Sequence, residues 1–144
     1  MIQAAFGWWD YHLHAFQIGD LRYGPQAEDY PEDELDEAAV TIVAALEGVE
    51  RFSYEYDFGD SWDHEIVIEE RSWLSVGLKV GVCIDGQNAC PPEDVGGPGG
   101  YAAYLQALAD PRHPEHDDLL EWRGAFDPAH FDLASANARL QNFR

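Results

Sequence analysis

The sequence predicts an α+β protein, with an antiparallel sheet of about four to five strands and C-terminal helices packed on it. Segments in which apolar and polar residues alternate come first along the chain, and segments with helical spacing come last. This segregated order is typical of α+β folds. A chain of 144 residues has the usual length of one domain, so we expect residues 1–144 to form a single domain.

The first two elements are the end of a helix and a strand. The residues IQAAFGW have helical spacing and stop at Gly7, which can adopt the left-handed conformation of a helix C-cap. The next segment, residues 11–19, alternates with a period of two. It predicts a strand that places His12 and His14 on the same face as its apolar residues.

The middle of the chain predicts a loop and then a hairpin. Residues 28–37 contain seven acids and no base, which predicts a solvated loop. The segment AAVTIVAALEGV that follows fits either a short strand or a helical turn. RFSYEYDF has the clearest alternation in the chain, and the turn residues GDSW lead from it into DHEIVIEE. These three segments predict an antiparallel hairpin.

The last part of the chain predicts one more strand, a long loop and three helices. Residues 76–84 alternate and predict the strand. Residues 85–100 are too rich in Gly and Pro for a helix or a central strand, and they are long enough for a functional loop. The predicted helices are Tyr101–Ala109, His113–Arg123 and Leu133–Phe143, the last with Asp132 as its N-cap.

Charge and composition argue against several classes of function. Eight Lys and Arg stand against 28 Asp and Glu, a formal net charge of −20, so we expect no direct binding to nucleic acid. No apolar stretch could span a bilayer and no signal peptide is recognisable, so we expect a cytoplasmic protein that does not enter the membrane. Two cysteines are too few for a disulfide framework, which fits a reducing compartment.

Four separated motifs carry a family resemblance: FGWWDYHLHAFQIG, YEYDFGDSWDHEI, CIDGQNACPPEDVGG and YAAYLQALADPRHPEHDDLLEWRGAFDPAHFDLASANARL. With these motifs the chain resembles the plasmid pRi open-reading-frame-three-like family. Members of that family occur on plasmids and in bacterial and archaeal genomes, and some are labelled transposon passenger proteins. The resemblance covers essentially the whole chain and implies a compact α+β domain with an antiparallel sheet.

The resemblance implies no biochemical activity, since none is established for the family. Relatives usually begin with a further strand, so we expect the family's first strand to be missing here. A missing strand exposes unpaired backbone groups, which favours a homodimer through that edge. Some relatives are labelled resolvases. In this chain Arg71 is the only base next to a serine, so we reject the arginine-surrounded nucleophile of a serine recombinase.

A cluster of histidines and aspartates is the first candidate site. Imidazoles and carboxylates are the ligands that Zn, Mn, Fe and Ni accept. The alternative is that the histidines are half-buried sheet residues with structural partners, and that the aspartates form turns and caps. Asp57 has the opposite strand parity and reaches the histidines only if the chain bends at Gly59. The candidate ligand-binding residues are His12, His14, Asp57, Asp60, Trp62, His64, Glu93 and Asp94.

The two cysteines are a second candidate site. Cys83 and Cys90 are close enough in sequence to meet, and together with His113 and His116 they could hold a transition metal such as zinc. Neither spacing matches a common zinc motif. Two unrelated thiols or an adventitious disulfide are the alternatives. The candidate metal ligands are therefore His12, His14, His64, Cys83 and Cys90.

The acidic end of the Gly/Pro-rich loop is a third candidate. It lacks the Lys and Ser/Thr of a phosphate-binding loop. Glu93 and Asp94 could cap backbone donors while the glycines form turns. Alternatively, the loop could fold over the histidine cluster beside the tryptophans and complete a ligand pocket.

Two functions from different classes fit these observations. The first is a non-catalytic binding or interaction module, accessory to mobile-element or plasmid genes, with its acidic face against a protein partner. The second is a small metal-dependent hydrolase or nuclease-like enzyme that uses the histidines and aspartates. The first is favoured because the sequence contains no nucleophile and base at a recognisable spacing.

We predict that salt stabilises the fold. Repulsion among the acids of residues 28–70 is long-ranged and weakens as the Debye length falls from about 10 Å at 0.1 M to about 3 Å at 1 M salt. The melting temperature should therefore rise with KCl concentration. A flat or falling melting temperature would show that the charges are compensated locally.

Overall fold

The computed structural model describes residues 1–26, 34–72 and 81–142. It confirms the α+β class, with a five-stranded, mostly antiparallel sheet and helices. The chain forms two compact units: unit 1 is Met1–Tyr11 with Leu74–Arg144, and unit 2 is His12–Trp73. The expectation of a single domain stays a prediction. Within the described ranges, every helix is too short or too polar to cross a bilayer.

Unit 2 contains the whole sheet, in the order β3-β2-β1-β4-β5. All neighbouring strands are antiparallel except β2 and β3, which are parallel. A 3-10 turn at Glu37–Ala39 and the one-turn helix α2, Ile42–Ala45, connect β3 to β4. The strands are β1 His14–Ile18, β2 Leu21–Gly24, β3 Leu35–Asp36, β4 Arg51–Tyr56 and β5 Trp62–Val67.

The hairpin of β4 and β5 is confirmed and lies at one edge of the sheet. Its register pairs Phe52 with Ile66 and Tyr54 with His64, so the apolar residues of both strands share one face. Tyr54 and Tyr56 on this face are fully buried. The alternation of RFSYEYDF therefore predicted both the strand and its buried side correctly.

The acidic segment differs from its prediction as a solvated loop. Residues 27–33 lie outside the described part of the chain, but Leu35 and Asp36 form a short strand against Tyr23 and Gly24. The backbone of β2 pairs with Leu35 and Asp36 in spite of the charge of this segment. The Asp36 carboxylate accepts the Ala38 N–H at 2.9 Å. The ambiguous segment that follows is resolved as helix α2.

The prediction of a strand at residues 76–84 is wrong for residues 81–84, the part that the structure describes. Residues 73–80 are outside the described ranges, and residues 81–84 are not in a strand. Ile84, which the alternation places on the apolar face, is 86% exposed. The side-chain amide of Asn137 accepts the Cys83 N–H at 2.9 Å and donates to the Cys83 carbonyl at 2.8 Å. A side chain far away in sequence thus takes the place that a neighbouring strand would occupy.

Unit 1 carries the helices at the end of the chain, α3 Gly97–Ala109, α4 His116–Arg123 and α5 Leu133–Asn142. Helix α3 begins four residues before the prediction. Its Gly-rich first turn lies against the preceding backbone, where a Cβ at Gly100 would overlap the Val95 carbonyl oxygen. Asp132 caps α5 as predicted, because its Oδ1 accepts the Ser135 N–H at 3.0 Å.

The short helix α1, Ile2–Phe6, ends at Gly7 as predicted, with φ at 106°. Arg139 of α5 satisfies the carbonyls that this helix end leaves open. Its guanidinium donates to Ala4 O at 2.8 Å and to Ala5 O at 3.0 Å, and it lies so close to Gly7 that a Cβ there would be 3.2 Å from Cζ. One arginine therefore caps α1 and joins it to α5.

We predict that Arg139→Ala lowers the free energy of unfolding by about 1–3 kcal/mol, because it leaves carbonyls at the end of α1 without their donor. The measurement is the urea unfolding midpoint. Arg112→Ala is the matched control, since the Arg112 side chain is 91% exposed and bonds only nearby Asp110 among the described residues. Equal, small effects of the two substitutions would contradict the capping role.

Candidate functional site

Two of the three candidate histidines lie on the buried face of the sheet, around Tyr54. His14 of β1 is 5.7 Å from Tyr54 between ring centroids, and His64 of β5 is 5.6 Å from it. Strand β4 lies between β1 and β5, so the backbones that carry the two imidazoles are roughly 10 Å apart. His14 and His64 share a face as expected, with Tyr54 between them, whereas His12 precedes β1 instead of lying in the predicted strand.

His14 is paired with a carboxylate. Its Nε2 is 3.0 Å from Glu37 Oε2, where Glu37 begins the 3-10 turn after β3. The imidazole also packs edge-on against Phe16, 5.7 Å away between centroids. The pair joins β1 to the turn before α2 and places one carboxylate beside the aromatic face of the sheet.

His64 has a different partner, the backbone carbonyl of Tyr54, which lies 3.1 Å from its Nδ1. This contact falls between directly paired residues of β4 and β5. The imidazole therefore supports the hairpin in the way that the structural alternative expects. One ion held by both His14 and His64 is not supported by these positions.

His12 and Asp57 come together at the end of β4. Asp57 Oδ2 is 3.6 Å from His12 Nε2. The sequence predicted that Asp57 needs a bend to reach the histidines, and the chain does bend, at Asp57 itself, whose φ is 56°. The expected bend at Gly59 is therefore displaced by two residues.

The buried carboxylate of Asp57 also holds the hairpin turn. Its Oδ1 accepts the N–H groups of Gly59 at 3.0 Å and Asp60 at 3.3 Å. The Asp57 backbone is bonded as well, since its N–H donates to Leu13 O and its carbonyl accepts from Ser61. Asp57 thus connects the turn to the segment before β1.

The other two residues named in unit 2 lie around this turn. Asp60 is part of it and contributes the backbone N–H described above. Trp62 begins β5 opposite Tyr56 and is partly exposed. Their positions are those that the turn chemistry of GDSW predicted.

Glu93 and Asp94 belong to unit 1. Glu93 is buried, and its Oε1 accepts the Trp9 N–H at 2.7 Å. Its carbonyl accepts from the Arg123 guanidinium at 3.2 Å. Asp94 is exposed, with φ at 59°. Glu93 therefore caps a backbone donor, as one interpretation of the loop expected, while convergence of this loop with the histidines stays a prediction.

The cysteines are both free thiols in unit 1. Burial, with the charge of Glu93, raises the pKa of Cys90 to about 12, so this thiol is protonated at neutral pH and would have to release its proton to bind a metal. The nearby histidines have local roles: His116 Nδ1 is 3.0 Å from Ala107 O, and His113 Nδ1 accepts the Glu115 N–H at 3.2 Å. These contacts favour the interpretation as two unrelated thiols.

Sequence reasoning missed an apolar pocket in unit 2. Its volume is about 290 Å³, and it lies over the sheet beside α2. Among the described residues that line it, Glu37 alone is charged. The sequence signal for this pocket is the segment AAVTIVAALEGV, which contains more apolar residues than one helical turn can bury. The lining residues are Phe16, Ile18, Tyr23, Glu37, Ala38, Val40, Ile42, Ala45, Leu46 and Phe52.

We predict that Asp57→Ala lowers the free energy of unfolding by about 1–3 kcal/mol, because two turn N–H groups lose their acceptor. The measurement is urea unfolding of unit 2, followed by the fluorescence of Trp62 in a variant that lacks the other tryptophans. Asp63→Ala is the control, since Asp63 is exposed on β5. If Asp57→Ala leaves the free energy of unfolding unchanged but abolishes binding of a ligand that the unmodified chain binds, Asp57 belongs to a functional site instead.

Comparisons with known proteins agree with the resemblance seen in the motifs. The family described as "Plasmid pRiA4b ORF-3-like protein" matches residues 1–135. An uncharacterized protein, y4hQ, of Sinorhizobium fredii (strain NBRC 101917 / NGR234) is 41% identical over 139 residues, which cover 95% of this chain and 70% of that protein.

A solved structure is similar as well. The crystal structure of a protein of unknown function, MM3350 from Methanosarcina mazei Go1, superposes with a TM-score of 0.77 at 31% identity, covering 93% of this chain and 77% of that one. Both similar proteins are described only as uncharacterised or of unknown function. On the match over residues 1–135, the chain belongs to the plasmid pRiA4b ORF-3-like family.

Proposed function

We propose that this protein is a non-catalytic binding module and that its binding surface lies on unit 2. The observation that carries the proposal is the apolar pocket of about 290 Å³ beside α2. Ligand sites in proteins are mostly apolar, with a few polar groups that fix orientation, and this pocket has that composition. Ile42, which lines the pocket and is 70% exposed, adds to the apolar surface that a ligand can contact.

The partners of the candidate catalytic residues also support a binding role. His14 is paired with Glu37, His64 with a backbone carbonyl, and Asp57 with two turn N–H groups. Each contact has a structural purpose in its own strand or turn. The metal-dependent hydrolase needs several such side chains on one ion or one substrate. Within unit 2, His12 and Asp57 are a pair that does come together, at 3.6 Å, and this pair is what favours the second candidate.

The charge of the chain shapes the choice of partner. A net charge of −20 opposes nucleic acid and favours a protein with a basic surface. An accessory role beside mobile-element or plasmid genes, which the family resemblance implies, is consistent with such a protein partner. A homodimer is the other partner that the sequence suggests.

The proposal predicts that the neutral fluorophore N-phenyl-1-naphthylamine binds to the pocket. Ala45→Phe should fill the pocket and weaken binding at least roughly tenfold. Ala38→Trp gives a second filled variant, at a more exposed position. The measurement is fluorescence titration, with circular dichroism to show that each variant is folded.

Ala39→Phe is the matched control, because Ala39 is next to Ala38 but is exposed and lines neither this pocket nor the neighbouring groove. It should leave the titration unchanged. If both folded, filled variants bind the fluorophore as the unmodified chain does, the pocket is not a binding site.

A further inference from the structure

We infer that the occupant of this pocket is an apolar side chain from a basic protein segment, whose cationic groups bind Glu37 and the acids beside α2, Glu47 and Glu70. This inference rests on the proposed function and names the partner class for the same site. Four properties of unit 2 support it, namely the size of the pocket, its continuation across α2, its charge, and the position of Glu37.

The size of the pocket suits a side chain better than a whole ligand. Sites for drug-sized molecules usually have volumes of about 300–1,000 Å³, and this pocket, at about 290 Å³, lies at the lower limit. Aromatic rings form its floor, since Phe16 and Phe52 are 6.3 Å apart between centroids. A leucine, isoleucine or phenylalanine would contact these rings and the aliphatic side chains around them.

The apolar surface continues from the pocket over α2 into a shallow groove. Ile42 and Leu46 line both the pocket and the groove, and Ile68 lies on the groove's far side. Val43, also in the groove, is 73% exposed. Contiguous exposed apolar residues of this kind are typical of interaction surfaces. A continuous surface of this kind fits an extended segment with more than one apolar side chain.

The negative charge of unit 2 favours basic residues next to those apolar side chains in the partner segment. Residues 12–73 contain seventeen Asp and Glu against three Arg. The charged residues that line the groove are Glu47, Glu70 and Arg71. The Arg71 guanidinium donates to the carbonyls of Leu46 and Val49, which follow α2. The groove therefore presents acidic groups that attract Lys and Arg side chains of a partner.

Glu37 is placed to bind one of these cations. It lines the pocket, and its carboxylate is held by His14 at 3.0 Å while its side chain remains 31% exposed. A carboxylate accepts several hydrogen bonds, so Glu37 can keep its contact with His14 and accept another from a Lys or Arg. Fatty acids and other anionic amphiphiles would meet repulsion at the same position.

A second copy of this chain is a poor occupant, because its surface is equally acidic. Like-charge juxtaposition across an interface opposes association. A neutral small molecule would fill the pocket but would leave the acids of the groove without cations. The basic segment is the occupant that uses the pocket, the groove and the charge together.

Selection from a random dodecapeptide library displayed on phage tests this inference. The full chain is the bait at about 0.15 M salt, where weak long-range attraction is screened, and the Ala45→Phe and Ala38→Trp variants are used for counter-selection. The enriched peptides should carry net positive charge and at least one large apolar residue. Fluorescence anisotropy then measures a selected peptide against its Lys/Arg→Glu and its apolar→Ser versions, each of which should lose at least roughly tenfold in affinity.

Glu37→Gln should weaken the selected peptide by roughly tenfold and should weaken the neutral fluorophore N-phenyl-1-naphthylamine much less, because only the peptide carries a cation for the carboxylate. Glu65→Gln is the control, with the same loss of charge at an exposed site paired with Arg51. Enrichment of neutral or acidic peptides, or enrichment that survives pocket filling, overturns the inference. If the fluorophore binds in the pocket but no peptide depends on it, the binding module stands and its basic partner is rejected; if neither binds, both proposals fail.

Discussion

The buried carboxylate of Asp57 is the contact on which unit 2 depends. Its side chain caps the turn between β4 and β5, and its own N–H donates to Leu13 O just before β1. The residue can do both only because its φ is 56°, a conformation that aspartate tolerates better than most residues. The register that follows puts Tyr54 and Tyr56 in the core and the histidines on the same face.

This arrangement explains why a cluster that suggested catalysis supports the fold. Polar side chains that turn toward an aromatic core must be hydrogen-bonded, since an unsatisfied buried group costs about 1–3 kcal/mol. His14 meets this need with Glu37 and His64 with the Tyr54 carbonyl. The first of these pairs also leaves a carboxylate at the edge of an apolar pocket, so a structural contact and the proposed binding surface share one residue.

Unit 1 is held by side chains that replace missing backbone partners. Arg139 caps α1, Asn137 pairs with both backbone groups of Cys83, and Glu93 accepts the Trp9 N–H. These bonds join residues 54 to 135 positions apart in sequence. The Asn137 contacts satisfy both backbone groups of Cys83 without a strand, which is why the alternation of residues 81–84 misled the prediction.

The sequence by itself determined the α+β class, the hairpin, the stop at Gly7 and the cap at Asp132, because alternation, turn chemistry and capping act over a few neighbouring residues. It also indicated the shared face of His14 and His64. Only the tertiary structure decided which partner each histidine has, where the chain bends to bring Asp57 to His12, and that a pocket lies beside α2. Those outcomes depend on contacts between residues distant in sequence, such as His14 with Glu37, and no local pattern encodes them.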